Sequence, residues 1–235
     1  MKFSGNTVLI TGGTQGIGYA MAEYLSESDN KIIICARNEE KLAAAKEKHP
    51  DFITYVCDVS DAESRKELAA RIAVDHPDLN FLINNAGIQR NVDLTKGTEE
   101  LGRGDSEIET NLRGPIYMTG LLLPILTKNA DSKILNVCSG LAFRGDRFPE
   151  MPIYSATKAG LHAYTRVARV QFAPLGIRVM EIIPPMVDTQ LNPEHAAMLR
   201  AKDPKYSDPN VVPPPEVYVR RTFAKLEEGE DEVKY

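Results

Sequence analysis

The chain has 235 residues, of which 43% are hydrophobic and 26% are charged, and its formal net charge is −5. This length and composition suit a globular protein with a substantial core, and we expect a single domain over 1–235. An acidic chain without a concentrated basic face is not expected to bind nucleic acid or an anionic membrane.

Apolar, β-branched runs alternate with segments of helical period along most of the chain. Strands are predicted at 7–10, 31–35, 53–57, 80–84, 133–138 and 178–183. Helices are predicted near 16–28, 38–48, 60–75, 105–128 and 153–173. The spacing of Ser60 and Glu63 is that of a capping box and marks the start of the third helix. The alternation predicts an α/β fold in which helices cover both faces of a parallel sheet.

A glycine-rich turn follows the first predicted strand, with glycines at positions 12, 16 and 18. Glycine lets the backbone turn tightly and approach a pyrophosphate, which the free N–H groups of a helix N-terminus attract. The spacing differs from the common G-x-G-x-x-G fingerprint, and a purely structural β–α turn is the alternative. Its position in the first βαβ unit favours dinucleotide binding.

The end of the second predicted strand indicates which dinucleotide is bound. An acidic residue there would bond the adenosine 2′-hydroxyl, whereas an arginine accommodates a 2′-phosphate. The chain has Arg37 at this point and no acid. Because a guanidinium is a permanently charged fork that suits phosphate, NADP(H) is favoured over NAD(H). The alternative is that Arg37 is a solvated loop cation and the cofactor choice stays open.

Tyr154 and Lys158 are four residues apart and therefore lie on one face of the predicted helix 153–173. Ser139 directly follows the fifth predicted strand. A phenol titrates near ~10, and a nearby ammonium favours the phenolate, so we expect Lys158 to lower the pKa of Tyr154. Such a group could exchange a proton with an alcohol or a carbonyl. Taken alone, the pair could equally be a packed ring beside a solvated lysine.

Two later stretches depart from the alternation. Residues 184–215 are rich in proline and lack a clear period, which predicts a loop, either a lid at about 186–212 or a disordered segment. The acidic stretch 226–235 is predicted to be a solvated helix terminus followed by a short edge strand.

The cysteines and histidines do not form a recognisable framework. Three cysteines fit neither a metal site nor a set of disulfides, and the four histidines are scattered, so no metal is expected. The N-terminus runs straight into a strand, and no apolar segment approaches the roughly 18 residues that span a bilayer. We therefore expect a reduced, cytoplasmic protein.

Three motifs together resemble the short-chain dehydrogenase/reductase family: the glycine turn, Asn84-Asn-Ala-Gly87 and Tyr154-x3-Lys158. The likeness extends from residue 5 to about 190, and the motifs come in the family's order. It implies a single-domain, Rossmann-type, doubly wound parallel sheet. The pattern is also similar to a bacterial subgroup known only as oxidoreductases, some encoded beside cell-envelope D-alanylation enzymes, and this likeness fixes no substrate.

The resemblance also implies the site residues. The catalytic tetrad would be Asn111, Ser139, Tyr154 and Lys158, with Asn111 holding a water that links the lysine to solvent. The implied cofactor-binding residues are Gly12, Thr14, Gln15, Gly16, Ile17, Gly18, Arg37, Asn38, Asp58, Val59, Asn85, Ala86, Gly87, Tyr154, Lys158, Pro184, Val187 and Thr189. In this list the glycine turn holds the pyrophosphate, Asp58 and Val59 contact adenine, and the segment from Pro184 fixes the nicotinamide.

The chain departs from the family pattern at three places. Pro185 replaces the usual glycine after Pro184. Gln15 stands where NADP-dependent members often carry a second basic residue, so Arg37 would act without that help. The loop 143–152 carries charged side chains where many relatives are largely apolar.

The implied activity is that of an NADP(H)-dependent oxidoreductase that interconverts a carbonyl and a secondary or primary alcohol by hydride transfer, with Tyr154 as general acid/base. The alternative is a non-enzymatic NADP(H)-binding sensor or regulatory protein on the same scaffold. A sensor would be expected to have lost members of the tetrad, and all four are present. A protein without a cofactor would leave the glycine turn and Arg37 unexplained.

The substrate pocket is expected over the C-terminal strand ends, between the loop 140–152 and the segment 186–212. Apolar residues that could line it, or could simply belong to the core, are Leu141, Phe143, Met186, Leu191, Met198 and Leu199. Arg90, Arg144 and Arg147 could meet an anionic or polar group of a small-molecule substrate, or could be solvated surface charges.

Self-association is also expected. Residues 121–126 are apolar almost all round the predicted helix 105–128, and one sheet face cannot cover every side of it. The family resemblance implies a homodimer or homotetramer through this helix and the helix 153–173.

Overall fold

A seven-stranded parallel sheet forms the centre of the protein, for which a computed structural model describes residues 3–102 and 106–235. Within these ranges the strands are β1 (Thr7–Thr11), β2 (Lys31–Ala36), β3 (Ile53–Val56), β4 (Leu79–Asn84), β5 (Lys133–Val137), β6 (Arg178–Ile183) and β7 (Glu232–Lys234). Their order in the sheet is β3-β2-β1-β4-β5-β6-β7, and all pairs are parallel. The direction of winding therefore reverses between β1 and β4, which is where ligands bind in sheets of this kind.

Helices connect the strands. In the same ranges they are α1 (Gly16–Ser26), α2 (Glu39–Lys48), α3 (Ala62–Asp75), α4 (Thr98–Leu101), α5 (Gly114–Leu126), α6 (Leu141–Arg144), α7 (Pro152–Phe172), α8 (Pro193–Lys202) and α9 (Pro215–Glu227). A π-helical turn at Glu109–Arg113 leads into α5. Short 3-10 turns lie at Leu94–Lys96, Gly145–Arg147, Ala173–Leu175 and Pro204–Ser207. None of the helices in the described part of the chain is long and apolar enough to cross a bilayer.

The strands are apolar on both faces because helices cover both. Successive strand residues point to opposite sides, so Ile32 packs with α1, α2 and α9, while Ile33 packs with α3, α5 and α7. This explains why the strands appear in the sequence as continuous apolar runs. Because all seven strands are parallel, their carboxyl ends lie along one edge of the sheet, where the candidate site lies.

The six predicted strands are confirmed, with ends that differ by at most one residue, and the edge strand predicted near the C-terminus is β7. The predicted cap of the third helix was wrong by one residue. Asp61, not Ser60, accepts the hydrogen bond from the backbone of Ser64 at 2.7 Å, and the Ser60 hydroxyl instead donates to Asp58. The predicted start at position 105 lies outside the described residues, and the chain is helical from Glu107.

The prediction of an irregular loop over 184–215 was wrong in part, because this stretch contains α8. Asn192 caps α8 by accepting from the backbone N–H of His195 at 3.0 Å, and Pro193 occupies the first helical position. These are ordinary start signals, but α8 has no apolar stripe that would have revealed its period. The short helices α4 and α6 were also not predicted.

Candidate active site

A cavity of about 1090 Å³ opens at the carboxyl ends of the strands. It is lined by every residue implied as catalytic or cofactor-binding except Gly18 and Asn111. Those that line it are Gly12, Thr14, Gln15, Gly16, Ile17, Arg37, Asn38, Asp58, Val59, Asn85, Ala86, Gly87, Ser139, Tyr154, Lys158, Pro184, Val187 and Thr189. Residues that are far apart in the sequence are thus brought together around one space.

The glycine turn is held tightly against the end of β4. Gly12 has a positive φ of +66°, and a Cβ there would lie 2.9 Å from Ala86 Cα. A Cβ on Gly18 would lie 2.3 Å from Asn85 Nδ2, which explains why Gly18 packs inside the turn and does not line the cavity. Asn85 Nδ2 donates to the backbone oxygens of Thr11 at 3.0 Å and Gly12 at 3.1 Å. Asn85 therefore braces the turn besides lining the cavity.

The N-terminus of α1 points a set of uncapped N–H groups at this cavity. Its cap residue, Gln15, makes no side-chain hydrogen bond to the first turn, and Gly16 has a positive φ of +57°. Free N–H groups at the positive end of a helix dipole attract anions. The turn and the helix start therefore fit the pyrophosphate of a dinucleotide.

Sequence reasoning missed a second cation, Lys41, which lies beside the glycine turn. Lys41 Nζ donates to Gln15 Oε1 at 2.7 Å, and both residues line the cavity together with Arg37 and Asn38. Asn38 caps α2 by accepting from the backbone of Lys41 at 2.8 Å, which places Lys41 in the first turn of that helix. Lys41 is therefore a second basic residue in this part of the cavity, whereas the expectation that Arg37 acts without help from a basic residue at position 15 stays a prediction. The short spacing between Arg37 and Lys41 was the available signal.

The predicted catalytic side chains of α7 meet at the end of β5. Tyr154 and Lys158 are 5% and 3% exposed, and Lys158 Nζ lies 5.7 Å from the centroid of the Tyr154 ring. Lys158 Nζ donates to the backbone oxygen of Val137 at 2.8 Å. The Ser139 hydroxyl accepts a hydrogen bond from the backbone of Leu141 at 3.2 Å. Its interaction with the Tyr154 phenol acts to lower the pKa of that phenol.

The expected direction of the Tyr154 pKa was wrong. Burial raises the pKa of Tyr154 above its ordinary value, and the neighbouring Ser139 hydroxyl acts in the opposite direction. Burial also lowers the pKa of Lys158, against the opposing influence of Cys138 and Glu181. The reason is that burial removes water from the phenolate, while the Lys158 ammonium donates its hydrogen bond to the backbone of Val137 and not to the phenol oxygen.

Asn111 lies in the π-helical turn and is fully buried. Its Nδ2 donates to the backbone oxygen of Ile88 at 2.8 Å, and its Oδ1 accepts from the Ile88 N–H at 2.9 Å. Nδ2 also donates to Thr157 Oγ1, at 3.3 Å, and that hydroxyl donates to the backbone of Tyr154. Asn111 thus ties the segment after β4 to α7, and a water-holding role stays a prediction.

We expect Asn111→Ala to lower the free energy of unfolding by about 1 to 3 kcal/mol, because it leaves the backbone N–H and C=O of the half-buried Ile88 without their side-chain partner. Urea denaturation measures this change. The matched control is Asn210→Ala, since Asn210 is exposed and bonds only within its own turn. Equal stabilities of the Asn111→Ala variant and the wild type would contradict the bracing role.

A largely buried histidine–carboxylate contact lies behind α7. His162 Nδ1 is 2.8 Å from Glu181 Oε2, and Glu181 is fully buried. These two side chains and Glu232 have ligand-type atoms within 4.8 Å of one another, a group that the scattered histidines of the sequence did not indicate. Cys138 lies nearby, and burial raises its pKa to about 12. All three cysteines are free and buried.

The end of the cavity where substrate binding is predicted lies between α6 and α8. Of the apolar candidates, Leu141, Met186, Leu191 and Leu199 line it, whereas Phe143 packs on His162 and Met198 is exposed. Of the cationic candidates, Arg144 and Arg147 line it. Arg90 does not, because its side chain lies 3.6 Å from the buried carboxylate of Glu107.

Comparison with known proteins places the chain among oxidoreductases. A family model described as short chain dehydrogenase matches residues 6–200. The uncharacterized oxidoreductase DltE of Bacillus subtilis strain 168 is 45% identical over 192 residues, which cover 82% of this chain and 75% of that protein. An uncharacterized oxidoreductase of Staphylococcus aureus strain USA300 is 31% identical over 201 residues, 83% of this chain and 85% of that one.

Solved structures share the fold. A short-chain dehydrogenase from Sphingobium yanoikuyae in complex with NADPH has a TM-score of 0.78 at 24% identity, and the match covers 97% of this chain and 87% of that one. A short chain dehydrogenase from Burkholderia cenocepacia J2315 in complex with NADP has a TM-score of 0.76 at 28% identity, with coverage of 99% and 89%.

Proposed function

Since the chain belongs to the short chain dehydrogenase family and is an oxidoreductase acting on CH–OH or C=O groups, we propose that it interconverts a carbonyl compound and an alcohol with NADP(H) and uses Tyr154 as general acid/base. The observation that carries the proposal is the meeting of Ser139, Tyr154 and Lys158 in the cavity that the glycine turn also lines. We propose further that 1–235 act as one domain, in which the segment 186–212 covers the substrate end.

The cofactor is assigned to the residues that fit its parts. The glycine turn and the N-terminus of α1 suit the pyrophosphate, and Arg37 with Lys41 suits a 2′-phosphate. Asp58, Val59 and the segment from Asn85 to Gly87 would flank the adenosine, and Pro184, Val187 and Thr189 the nicotinamide end. When bound, the nicotinamide supplies the hydride acceptor or donor. That the similar Burkholderia cenocepacia protein binds NADP supports this assignment.

In the reductive direction Tyr154 donates a proton to the substrate oxygen. A raised pKa keeps this phenol protonated at neutral pH, so the donor is in the required state. Ser139 hydrogen-bonds the same oxygen and holds it in line. Lys158 binds ribose hydroxyls, and its positive charge stabilises the phenolate that remains. In the oxidative direction Tyr154 takes the proton back. Asn111 supports this group through Ile88 and Thr157 and, as a prediction, holds a water that links Lys158 to solvent.

A panel of ketones, aldehydes and secondary alcohols, followed by NADPH absorbance, tests the proposed function. Turnover of any member with NADP(H) is the expected result. Nucleotide binding without turnover across the panel would instead favour a sensor, and failure to bind either nucleotide would overturn the cofactor assignment as well.

We also propose that the protein forms a homodimer or homotetramer through α5 and α7. Both helices expose apolar side chains, with Tyr117 on α5 at 47% and Val167 and Val170 on α7 at 57% and 74%. Exposed apolar residues on neighbouring helices are typical of a surface that another protein covers.

The double variant Val167→Glu/Val170→Glu is expected to be monomeric by light scattering at micromolar concentration, because it places charges in the proposed interface. The control is Val56→Glu, since Val56 is 53% exposed on the edge strand β3 and not on α5 or α7. A wild-type protein that is already monomeric would end the proposal.

A further inference from the structure

The lining of the cavity is mainly basic, although the chain as a whole is acidic. The chain has 33 acidic and 28 basic side chains, yet among the residues that the structure describes eight basic and two acidic side chains line the cavity. Three of the eight, Arg37, Lys41 and Lys158, lie at the nucleotide end that the proposed cofactor would occupy. The other five lie around the substrate end, and they are Arg144, Arg147, Lys202, Lys205 and Lys234.

Most of the positive charge at the substrate end is not compensated by the protein. Among the described acidic side chains, Asp203 lies at this end, 2.6 Å from Lys205 Nζ, and so compensates that lysine. Lys234 Nζ lies 3.9 Å from the centroid of the Phe143 ring. Within the described residues, Arg144, Arg147 and Lys202 have no carboxylate at ion-pair distance.

Arg144 and Arg147 belong to a segment that packs against α7 beside Tyr154. They belong to α6 and the 3-10 turn that follows it, and this segment begins two residues after Ser139. It packs on α7 so closely that a Cβ on Gly145 would lie 2.8 Å from the Cβ of Ser155, the residue beside Tyr154. Their backbone positions are therefore fixed relative to Tyr154.

Lys202 approaches the same space from the other wall. It is the last residue of α8, which is docked on the segment after α6 through His195. His195 Nδ1 lies 3.3 Å from Glu150 Oε1, and its ring packs edge-on against Phe148 at 5.6 Å. The docking brings the cations of both walls to one end of the cavity.

We infer that the substrate carries an anionic group, a carboxylate or a phosphate, which Arg144 and Arg147 bind while Lys202 adds positive charge. The inference rests on the proposed function for the position of the reacting carbon. Guanidinium groups form paired hydrogen bonds with either anion, and a cavity walled by one sign of charge concentrates ligands of the opposite sign. A neutral substrate would leave these cations facing one another.

Two matched pairs of ketones test the inference by binding alone. Levulinate is compared with its methyl ester, and hydroxyacetone phosphate with methoxyacetone, by calorimetric titration of protein saturated with NADP⁺; none of the four carries a free hydroxyl that NADP⁺ could oxidise. Ketones do not react with the oxidised cofactor, and the nucleotide occupies the phosphate sites of the glycine turn. We expect the charged member of at least one pair to bind about tenfold more tightly or better, since a hydrogen bond to a charged group contributes that much. The pair that shows the preference identifies the anion.

The double variant Arg144→Gln/Arg147→Gln is expected to reduce the preference to within about threefold. The control Lys128→Gln/Arg221→Gln removes the same charge from two exposed positions that do not line the cavity, and it should keep the preference. Equal binding of charged and neutral members in both pairs, or a preference that survives in the Arg144→Gln/Arg147→Gln variant, would overturn the inference.

Failure of this inference can be distinguished from failure of the proposed function, because the proposed function is tested separately by turnover with NADPH. Turnover of neutral ketones without a charge preference removes only the anionic substrate. A charge preference without turnover of any carbonyl removes only the oxidoreductase chemistry assigned to Tyr154. If NADP⁺ does not bind, the proposed cofactor fails, and the titrations are run on the protein alone.

Discussion

Replacing Tyr154 with phenylalanine is expected to lower kcat by about 10²- to 10⁴-fold, the contribution that a positioned proton donor usually makes. The ring would remain in its buried place on α7, and only the hydroxyl that exchanges the proton would be lost. NADPH binding should stay within a few-fold of wild type, because the glycine turn, Arg37 and Lys158 are unchanged. Turnover is measured by NADPH absorbance and binding by nucleotide fluorescence.

The control for this variant is Tyr206→Phe, since Tyr206 lines the same cavity but lies beyond α8 in a 3-10 turn. It should retain most of the activity. Turnover of Tyr154→Phe at the wild-type rate with any accepted substrate would remove the proposed acid/base role.

The second large effect is expected from Arg37→Ala, which should weaken NADPH binding by about 10- to 100-fold and change NADH binding only slightly. A charge-assisted hydrogen bond to a phosphate contributes roughly this much, and NADH has no 2′-phosphate to lose. Lys41→Ala should give a smaller loss in the same direction, because Lys41 already shares its ammonium with Gln15 at 2.7 Å.

Titration of each variant with NADPH and with NADH measures these affinities. Arg221→Ala, at an exposed position, is the control for general loss of positive charge. A wild-type preference for NADH, or an Arg37→Ala variant with undiminished NADPH affinity, would contradict the proposed 2′-phosphate site.

The sheet could be predicted from the sequence because helices cover both of its faces. Ile32 and Ile33 must both be apolar when one packs under α1 and the other under α5, and a run of such residues is a local signal. The glycine turn is likewise encoded locally, since Gly12 requires a positive φ that few other residues adopt. The order of the motifs along the chain then placed Ser139, Tyr154 and Lys158 at one edge.

Other features depend on contacts between distant segments and had no local signal. The pairing of His162 with Glu181 requires α7 to lie over β6. The raised pKa of Tyr154 depends on how much water the fold excludes, which spacing along a helix does not specify. Lys202 lies at the same end of the cavity as Arg144 and Arg147 because α8, which was predicted as an irregular loop, docks on the segment after α6.

Chemical labelling of the buried thiol of Cys138 can measure how often the sheet opens transiently. Alkylating reagents attack the thiolate, and a pKa of about 12 leaves Cys138 almost entirely in the unreactive form at neutral pH. Labelling of Cys138 by iodoacetamide must therefore wait for transient exposure of β5 to solvent, so its rate follows the local opening free energy. Because Cys138 lines the cavity at the end of β5, mass spectrometry of the labelled peptide would show whether a bound nucleotide protects that strand end from opening.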